Sequence, residues 1–186
     1  MDIPPLTISP LPTPASEQVI IVDRQNQGLG VVSRALMRSQ GLIHRASYVL
    51  VRNSHGELFI QKRTSTKDVF PGYWDIAAGG VVQARESYED SARRELLEEL
   101  GVAVPVMHHL FDHFYDGEDT KVWGRIFTCC HNGPFTLQAE EIDHGCFMTL
   151  EAINTLHNEE PITPDGVEIL TRIQREAPAT WLQFGR

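Results

Sequence analysis

No Gly or Pro interrupts the strong helix formers between Glu86 and Leu100, and Gly101 follows where a left-handed residue ends a helix. This run constrains the fold more than any other, because its charges are placed by helical geometry. Glu95, Glu98 and Glu99 stand at i, i+3 and i+4 and fall within an arc of roughly 100°. Ala92, Leu96, Leu97 and Leu100 read as an opposite, sheet-facing stripe, which leaves the carboxylates looking outward. Like charges at these spacings weaken a helix by about a few tenths of a kcal/mol per pair, and no neighbouring lysine offsets them. A hard divalent cation does so with oxygen ligands, and Mg²⁺ characteristically bridges carboxylates to substrate phosphates. The plain alternative is a hydrated acidic face, the commoner meaning of three glutamates without context.

The rest of the chain supplies a setting for this helix. Residues 1–16 carry Pro4, Pro5, Pro10, Pro12 and Pro14 and read as a flexible tail, with residues 17–186 as a single domain. Residues 19–22 form a β-branched strand signal closed by a polar, Gly-bearing turn over 23–30. A short helix over 34–40 is ended by Gly41. Residues 46–52 and 58–63 bracket Asn53-Ser54-His55-Gly56 as a hairpin, and 74–78 make a short buried strand broken by Gly79-Gly80. Strands are expected over 106–115, 122–130 and 145–149, then helices over 150–156 and 164–175. The order predicts an α/β fold, a mixed sheet covered by helices.

Charge and cysteine usage narrow the function. The chain of 186 residues holds 16 basic and 25 acidic residues, a formal charge of -9, which repels nucleic-acid backbones and anionic membranes at long range. A local basic pocket for a small phosphate compound stays compatible with that balance. Three cysteines, with Cys129 and Cys130 adjacent, make neither a disulfide framework nor a CxxC metal pair, so a reduced, cytoplasmic setting is expected. The opening residues lack a secretory signal pattern, and no stretch has the length of a membrane span.

The segment from Gly80 to Val102 reads Gly, five residues, Glu86, seven residues, then Arg94-Glu95-Leu96-Leu97-Glu98-Glu99-Leu100-Gly101-Val102. It resembles the Nudix box with no departure, a coincidence on the order of one in ten million at average residue usage. The resemblance implies an α/β/α sandwich with a mixed β-sheet, in which the box forms a loop and helix. Carried over by position, Glu95, Glu98 and Glu99 are implied metal ligands, with the Gly80 carbonyl as a further one. Arg94 is implied to brace the helix through Glu86 or another box carboxylate. The implied reaction is hydrolysis of a diphosphate linked to another group X, with Mg²⁺ as cofactor and Mn²⁺ as substitute. Glu98 or Glu99 is the candidate base, and Glu141, beside Glu140, is a loop acid that could take that role instead. The implied partner is a small diphosphate rather than nucleic acid or membrane, and relatives of this kind are commonly homodimers.

Residues 19–23, His44-Arg45-Ala46, Gln61-Lys62-Arg63 and Phe70-Pro71-Gly72-Tyr73-Trp74-Asp75 also resemble isopentenyl-diphosphate isomerase and its Nudix relatives. That isomerase needs a cysteine after the tryptophan, followed by Gly-His, where this chain has Ala77-Ala78-Gly79-Gly80-Val81. A hydrolase on an isomerase-like chassis is therefore expected, with the isomerase and a non-catalytic nucleotide-binding regulator as alternatives. In the resembling enzymes the segment holding Lys62, Arg63 and Lys67 leads toward the diphosphate. Arg63 would present a bidentate fork there and Lys67 a movable point charge. Trp74 reads as core. Strand alternation puts His109 and His113 on one face and His108 on the other, which argues against a three-histidine zinc site.

Overall fold

The computed structural model describes residues 17–176. The tail expected over residues 1–16 lies outside them. Nine strands and four helices follow one another as β1 (Gln18–Val22), β2 (Gly28–Ser33), α1 (Arg34–Ser39), β3 (His44–Arg52), β4 (Leu58–Arg63), β5 (Trp74–Asp75), β6 (Ala78–Val81), α2 (Tyr88–Leu100), β7 (His108–Asp116), β8 (Lys121–Cys130), β9 (Ile142–Met148), α3 (Leu150–His157) and α4 (Pro164–Glu176). No helix among these residues is long and apolar enough to cross a membrane.

β3 is the axis of the mixed sheet. It runs parallel to β8 from His44↔Val122 to Arg52↔Cys130 and antiparallel to β6 from Ala46↔Val81 to Val49↔Ala78. Its near-continuous burial suits a strand covered on both faces. On one face α2 packs through Ala92, Leu96 and Leu100 onto Val49, Val51, Ala78 and Phe127. On the other, Ile153, Ile169 and Ile173 of α3 and α4 pack onto Leu50, Leu58, Ile60 and Ile126. These two cores make the α/β/α sandwich.

Several local expectations change. β3 and β4 are consecutive but pair only at Arg52↔Leu58; β4 then diverges to pair with β9 and β5, so no extended hairpin forms. The divergence opens the sheet between them, and β6 fills the gap beside β3. Gly79 and Gly80 lie inside β6 rather than ending a strand. A Cβ on Gly79 would sit 2.0 Å from the Ser47 carbonyl oxygen, so close backbone approach is what requires glycine there. The polar stretch after β1 turns at Asp23, whose carboxylate accepts from the Gln25 and Gln27 amides, and then continues as β2. Leu29 and Val31 of β2 are exposed, so no alternating burial announces this edge strand.

β7 carries a register shift between His109 and Phe111. The bulge lets Leu110 and Phe111 both pack toward α4. His109 contacts Asp112 and the Phe127 ring, whereas His113 reaches Glu168 of α4. The two histidines thus lie on opposite faces, contrary to simple alternation. Trp74 is buried in the α4-side core, with its indole N–H donating to Glu160 at 2.9 Å.

Candidate active site

The start and end of α2 are locally encoded. The Ser87 hydroxyl accepts from the Asp90 amide and the Asp90 carboxylate accepts from the Ser87 amide, a reciprocal cap, while Gly101 closes the helix at φ 67°. Between them the acidic face does not look outward. At about 100° per residue, Glu99 falls near the centre of the arc spanned by Ser91, Ala92, Leu96 and Leu100. It is 4% exposed, and Leu97, expected in the buried stripe, is 55% exposed. The sheet facing Glu99 carries donors rather than apolar side chains. Gln61 Nε2 and the Gly79 amide each donate to Glu99 Oε2 at 3.2 Å. Burial, followed by the charge of Glu95, pushes the Glu99 carboxyl up to about 8. Burial also raises Glu95.

Arg94 ties the acids together. Its Nε donates to Glu86 Oε1 at 2.6 Å, its Nη1 to Glu95 Oε1 at 2.8 Å and to Glu98 Oε2 at 3.0 Å, and its Nη2 to Glu86 Oε2 at 3.1 Å. Burial works against the guanidinium charge, yet the bonds and charges of Glu86 and Glu95 outweigh it and hold the Arg94 pKa above its ordinary value. A counter-ion on the helix itself thus offsets Glu86, Glu95 and Glu98. Glu98, 51% exposed at its side chain, is the solvent-side member of the group.

The Glu95 carboxylate lies against Gly80: a Cβ there would meet Glu95 Oε1 at 2.4 Å. Next to this point a cleft of about 230 Å³ opens, with Gly79, Gly80, Lys67 and Glu141 in its wall. Lys67 reaches Glu141 from the loop between β4 and β5. Burial and the charge of Arg63 lower the Lys67 pKa. Arg63 also borders the cleft, but all three of its guanidinium nitrogens are engaged, with Asp75 Oδ2 at 2.9 Å and the Val69 and Phe70 carbonyls at 2.9 and 3.3 Å. It anchors that loop. Burial raises Asp75 despite Arg63. The structure therefore brings Gly80, Glu95, Glu99, Lys67 and Glu141 to one place, while Glu98 stands at the rim and Arg63 is occupied in shaping the loop.

Sequence reasoning passed over Gln61. Its Nε2 bonds Glu99 and the Ala77 carbonyl, while its buried Oε1 has no hydrogen-bond partner among the described residues. An orphaned acceptor oxygen beside two buried carboxylates is a donor set of the kind that hard cations take. Among the described residues no three His, Cys, Asp or Glu side chains already converge as a metal cage. Arg94 draws Glu98 and Glu95 toward itself, and Gln61 and Gly79 hold Glu99, so a cation would compete with these contacts.

Residues 42–173 match the NUDIX domain family model. The chain belongs to the Nudix family. It is 45% identical over 161 residues to an uncharacterised Nudix hydrolase of Yersinia pestis, covering 86% of this chain and 87% of that one. The uncharacterised Nudix hydrolase YfcD of Escherichia coli K12 is 43% identical over 157 residues, covering 84% and 86%. In structure it is similar to DR0079 from Deinococcus radiodurans, with TM-score 0.72 and 25% identity over 84% of this chain and 98% of that one. This Nudix protein is thus a hydrolase acting on pyrophosphate-containing substrates, in a family that generally uses divalent metal ions.

Proposed function

We propose that this Nudix hydrolase is Mg²⁺-dependent, with Mn²⁺ as a substitute, and cleaves the diphosphate bond of a nucleoside diphosphate linked to another moiety X or of a similar small diphosphate. The observation that carries the proposal is Glu99, a carboxylate buried beside Glu95 with Gln61 Oε1 unpaired next to it. Such a group is costly to keep unless a charge arrives to match it. Glu95 and Glu99 would hold the ion, with Gln61 Oε1 and the Gly80 carbonyl as neighbouring oxygens. When bound, the ion supplies polarisation of phosphoryl oxygens and a more acidic water.

The chain's own residues do the rest. Arg94 fixes the carboxylate of Glu95 and ties Glu98 to Glu86. Glu141 or Glu98 accepts the proton of the attacking water, and Lys67 releases Glu141 to meet a phosphate oxygen. The partner is a small diphosphate and no nucleic acid or membrane, in a cytoplasmic, reducing setting consistent with the unpaired Cys129, Cys130 and Cys146. A homodimer is the proposed assembly.

The test is a screen of diphosphate compounds with Mg²⁺ or Mn²⁺, comparing wild type with Glu99→Gln. Loss of diphosphate hydrolysis, read as formation of the two phosphomonoester products, by about 100-fold or more in the variant is the expected result. Equal activity in both would remove the assigned role. Turnover of isopentenyl diphosphate without phosphate release would instead favour the isomerase, although the chain has Ala77-Ala78-Gly79-Gly80-Val81 where that enzyme carries its cysteine and Gly-His pair.

A further inference from the structure

The same cleft has a second, oppositely charged end. Arg34 and Arg38 lie one turn apart on α1 and both border the cleft, as does His44 at the start of β3. Among the described residues the one carboxylate in salt-bridge range of the pair is Asp68, whose Oδ2 is 3.8 Å from Arg34 Nη2 and whose side chain is largely exposed. Arg38 Nη1 donates to the neutral Thr120 hydroxyl at 3.2 Å. The Nε atoms of both arginines are buried without a hydrogen-bond partner among the described residues. Two adjacent guanidiniums with idle donors, shielded from water, are an unfavourable arrangement in a free protein. Burial, followed by the charge of Arg34, lowers the Arg38 pKa, and burial with the Arg38 charge pushes His44 down to about 4, so His44 stands neutral beside them.

Sheet register separates this pair from the glutamates. Glu99 bonds the Gly79 amide, and Gly79 is opposite Tyr48 of β3. Arg38 bonds Thr120, which precedes Val122, the partner of His44. The His44 level differs by four residues of strand from that of Gly79 and by three from that of Gly80, which Glu95 lies against, roughly 10–13 Å along the backbone. One pyrophosphate unit does not span that length, so a diphosphate seated against Glu95 and Glu99 leaves Arg34 and Arg38 to another part of the ligand.

We infer that Arg34 and Arg38 form an oxyanion subsite for a terminal phosphate carried on X, remote from the bond that is cleaved. Two planar forks on adjacent turns suit a tetrahedral phosphate, which accepts from several N–H groups at once. The Nε donors are satisfied, the mutual repulsion of the arginines is offset, and Asp68 is displaced from Arg34. The substrate class is then a diphosphate compound bearing a second phosphate at its far end. This assignment of substrate rests on the hydrolase reading, whereas the anion subsite itself does not.

Two measurements separate these. In EDTA, with no divalent metal, inorganic phosphate is titrated into wild type, Arg38→Met, Arg38→Lys and Glu99→Gln by calorimetry, with acetate at equal ionic strength as the carboxylate arm. Saturable phosphate binding in wild type and Glu99→Gln, weakened about tenfold or more by Arg38→Met and partly restored by Arg38→Lys, supports the subsite. Acetate competing as well as phosphate would overturn its phosphate selectivity. Phosphate binding that is absent from wild type, or equal in a folded Arg38→Met, would overturn the subsite. In the second measurement, kcat/KM is compared for pairs of diphosphate compounds with and without a terminal phosphate. Wild type should favour the phosphate-bearing member about tenfold or more, and Arg38→Met should bring that ratio toward one. A ratio kept in Arg38→Met would overturn the substrate assignment. Should wild type hydrolyse no diphosphate at all, the phosphate titration still decides the subsite while the hydrolase reading fails.

Discussion

α1 borders the cleft and α2 lies behind its Gly79-Gly80 wall, and each sets like charges four residues apart: Arg34 and Arg38 on α1, Glu95 and Glu99 on α2. They handle the repulsion in opposite ways. On α2 the counter-ion is built in, because Arg94 bonds Glu86, Glu95 and Glu98, and the sheet supplies donors to Glu99. On α1 the weak Asp68 contact and a threonine hydroxyl are all that the described residues offer the pair. Losing one partner of a charged group paired inside the fold is costly, whereas the α1 pair, as inferred above, gains from an anion that arrives from outside. The contrast is open to direct measurement.

The largest effect should come from removing the internal counter-ion. Arg94→Met leaves Glu86, Glu95 and Glu98 to repel one another in a half-buried site and should cost about 3 kcal/mol, read as a lowered urea midpoint at constant slope. A loss below about 1 kcal/mol would mean that water already compensates these acids and that the two helices do not differ in kind. Next come the glycines beneath Glu95 and Glu99. A Cβ on Gly79 meets backbone, so Gly79→Ala should cost about 2–3 kcal/mol. A Cβ on Gly80 meets the end of the Glu95 side chain, so Gly80→Ala should cost only about 1 kcal/mol while displacing the carboxylate proposed to hold the metal and lowering hydrolysis. Equal stability losses with hydrolysis retained by Gly80→Ala would contradict the placement of Glu95.

These residues also show what a linear reading can and cannot reach. The bounds of α2 were legible because Ser87, Asp90 and Gly101 act within a few residues of the ends they cap. The box spacing likewise revealed which acids share a face. It did not reveal which way that face turns. The position of Glu99 inside the buried arc depends on Gln61 and Gly79, distant in sequence, and Leu97 is exposed because no strand lies on its side. The same limit applies to Gly79-Gly80, which resemble a strand break until Ser47 is seen against them, and to β7, where a single bulge reverses the faces of His109 and His113. Arg34 and Arg38 had a local signal, two arginines without an acid on a short helix, but only the folded loop carrying Asp68 and the strand following Thr120 make a cleft of it.

A smaller effect separates the ends by pH. Glu99 has a raised carboxyl, at about 8, caused first by burial and then by Glu95. Between about pH 4.5 and 8 the native state therefore binds more protons than the unfolded chain, and stability falls as pH rises. Metal-free wild type should lose stability across that window relative to Glu99→Gln, by at most about 5 kcal/mol for the full shift and about 2 once the ionised group draws water from the cleft, with the two alike near pH 4. Added Mg²⁺ should reverse the loss at high pH, because ionised Glu99 is the form proposed to hold it. Thermal melts in EDTA and in Mg²⁺ read both, and parallel pH profiles for the two proteins would show that Glu99 ionises as freely as a surface acid.

The smallest expected change is the one most at odds with ordinary intuition about losing a charged, partly buried side chain. Arg38→Met removes one bond to Thr120, worth about 1 kcal/mol. It also removes repulsion with Arg34 and the cost of an idle, shielded guanidinium, together of similar size and opposite sign. The stem of Met keeps most of the packing of the arginine methylenes. Net stability should therefore shift by less than about 1 kcal/mol, against about 3 for Arg94→Met, when both are unfolded in the same phosphate-free buffer. Adding inorganic phosphate should then stabilise wild type more than Arg38→Met, because only a protein that binds the anion in its native state gains from it. If Arg38→Met unfolds as readily as Arg94→Met, Arg38 belongs to the folded framework after all, and the α1 pair is satisfied by contacts of the same kind as those on α2.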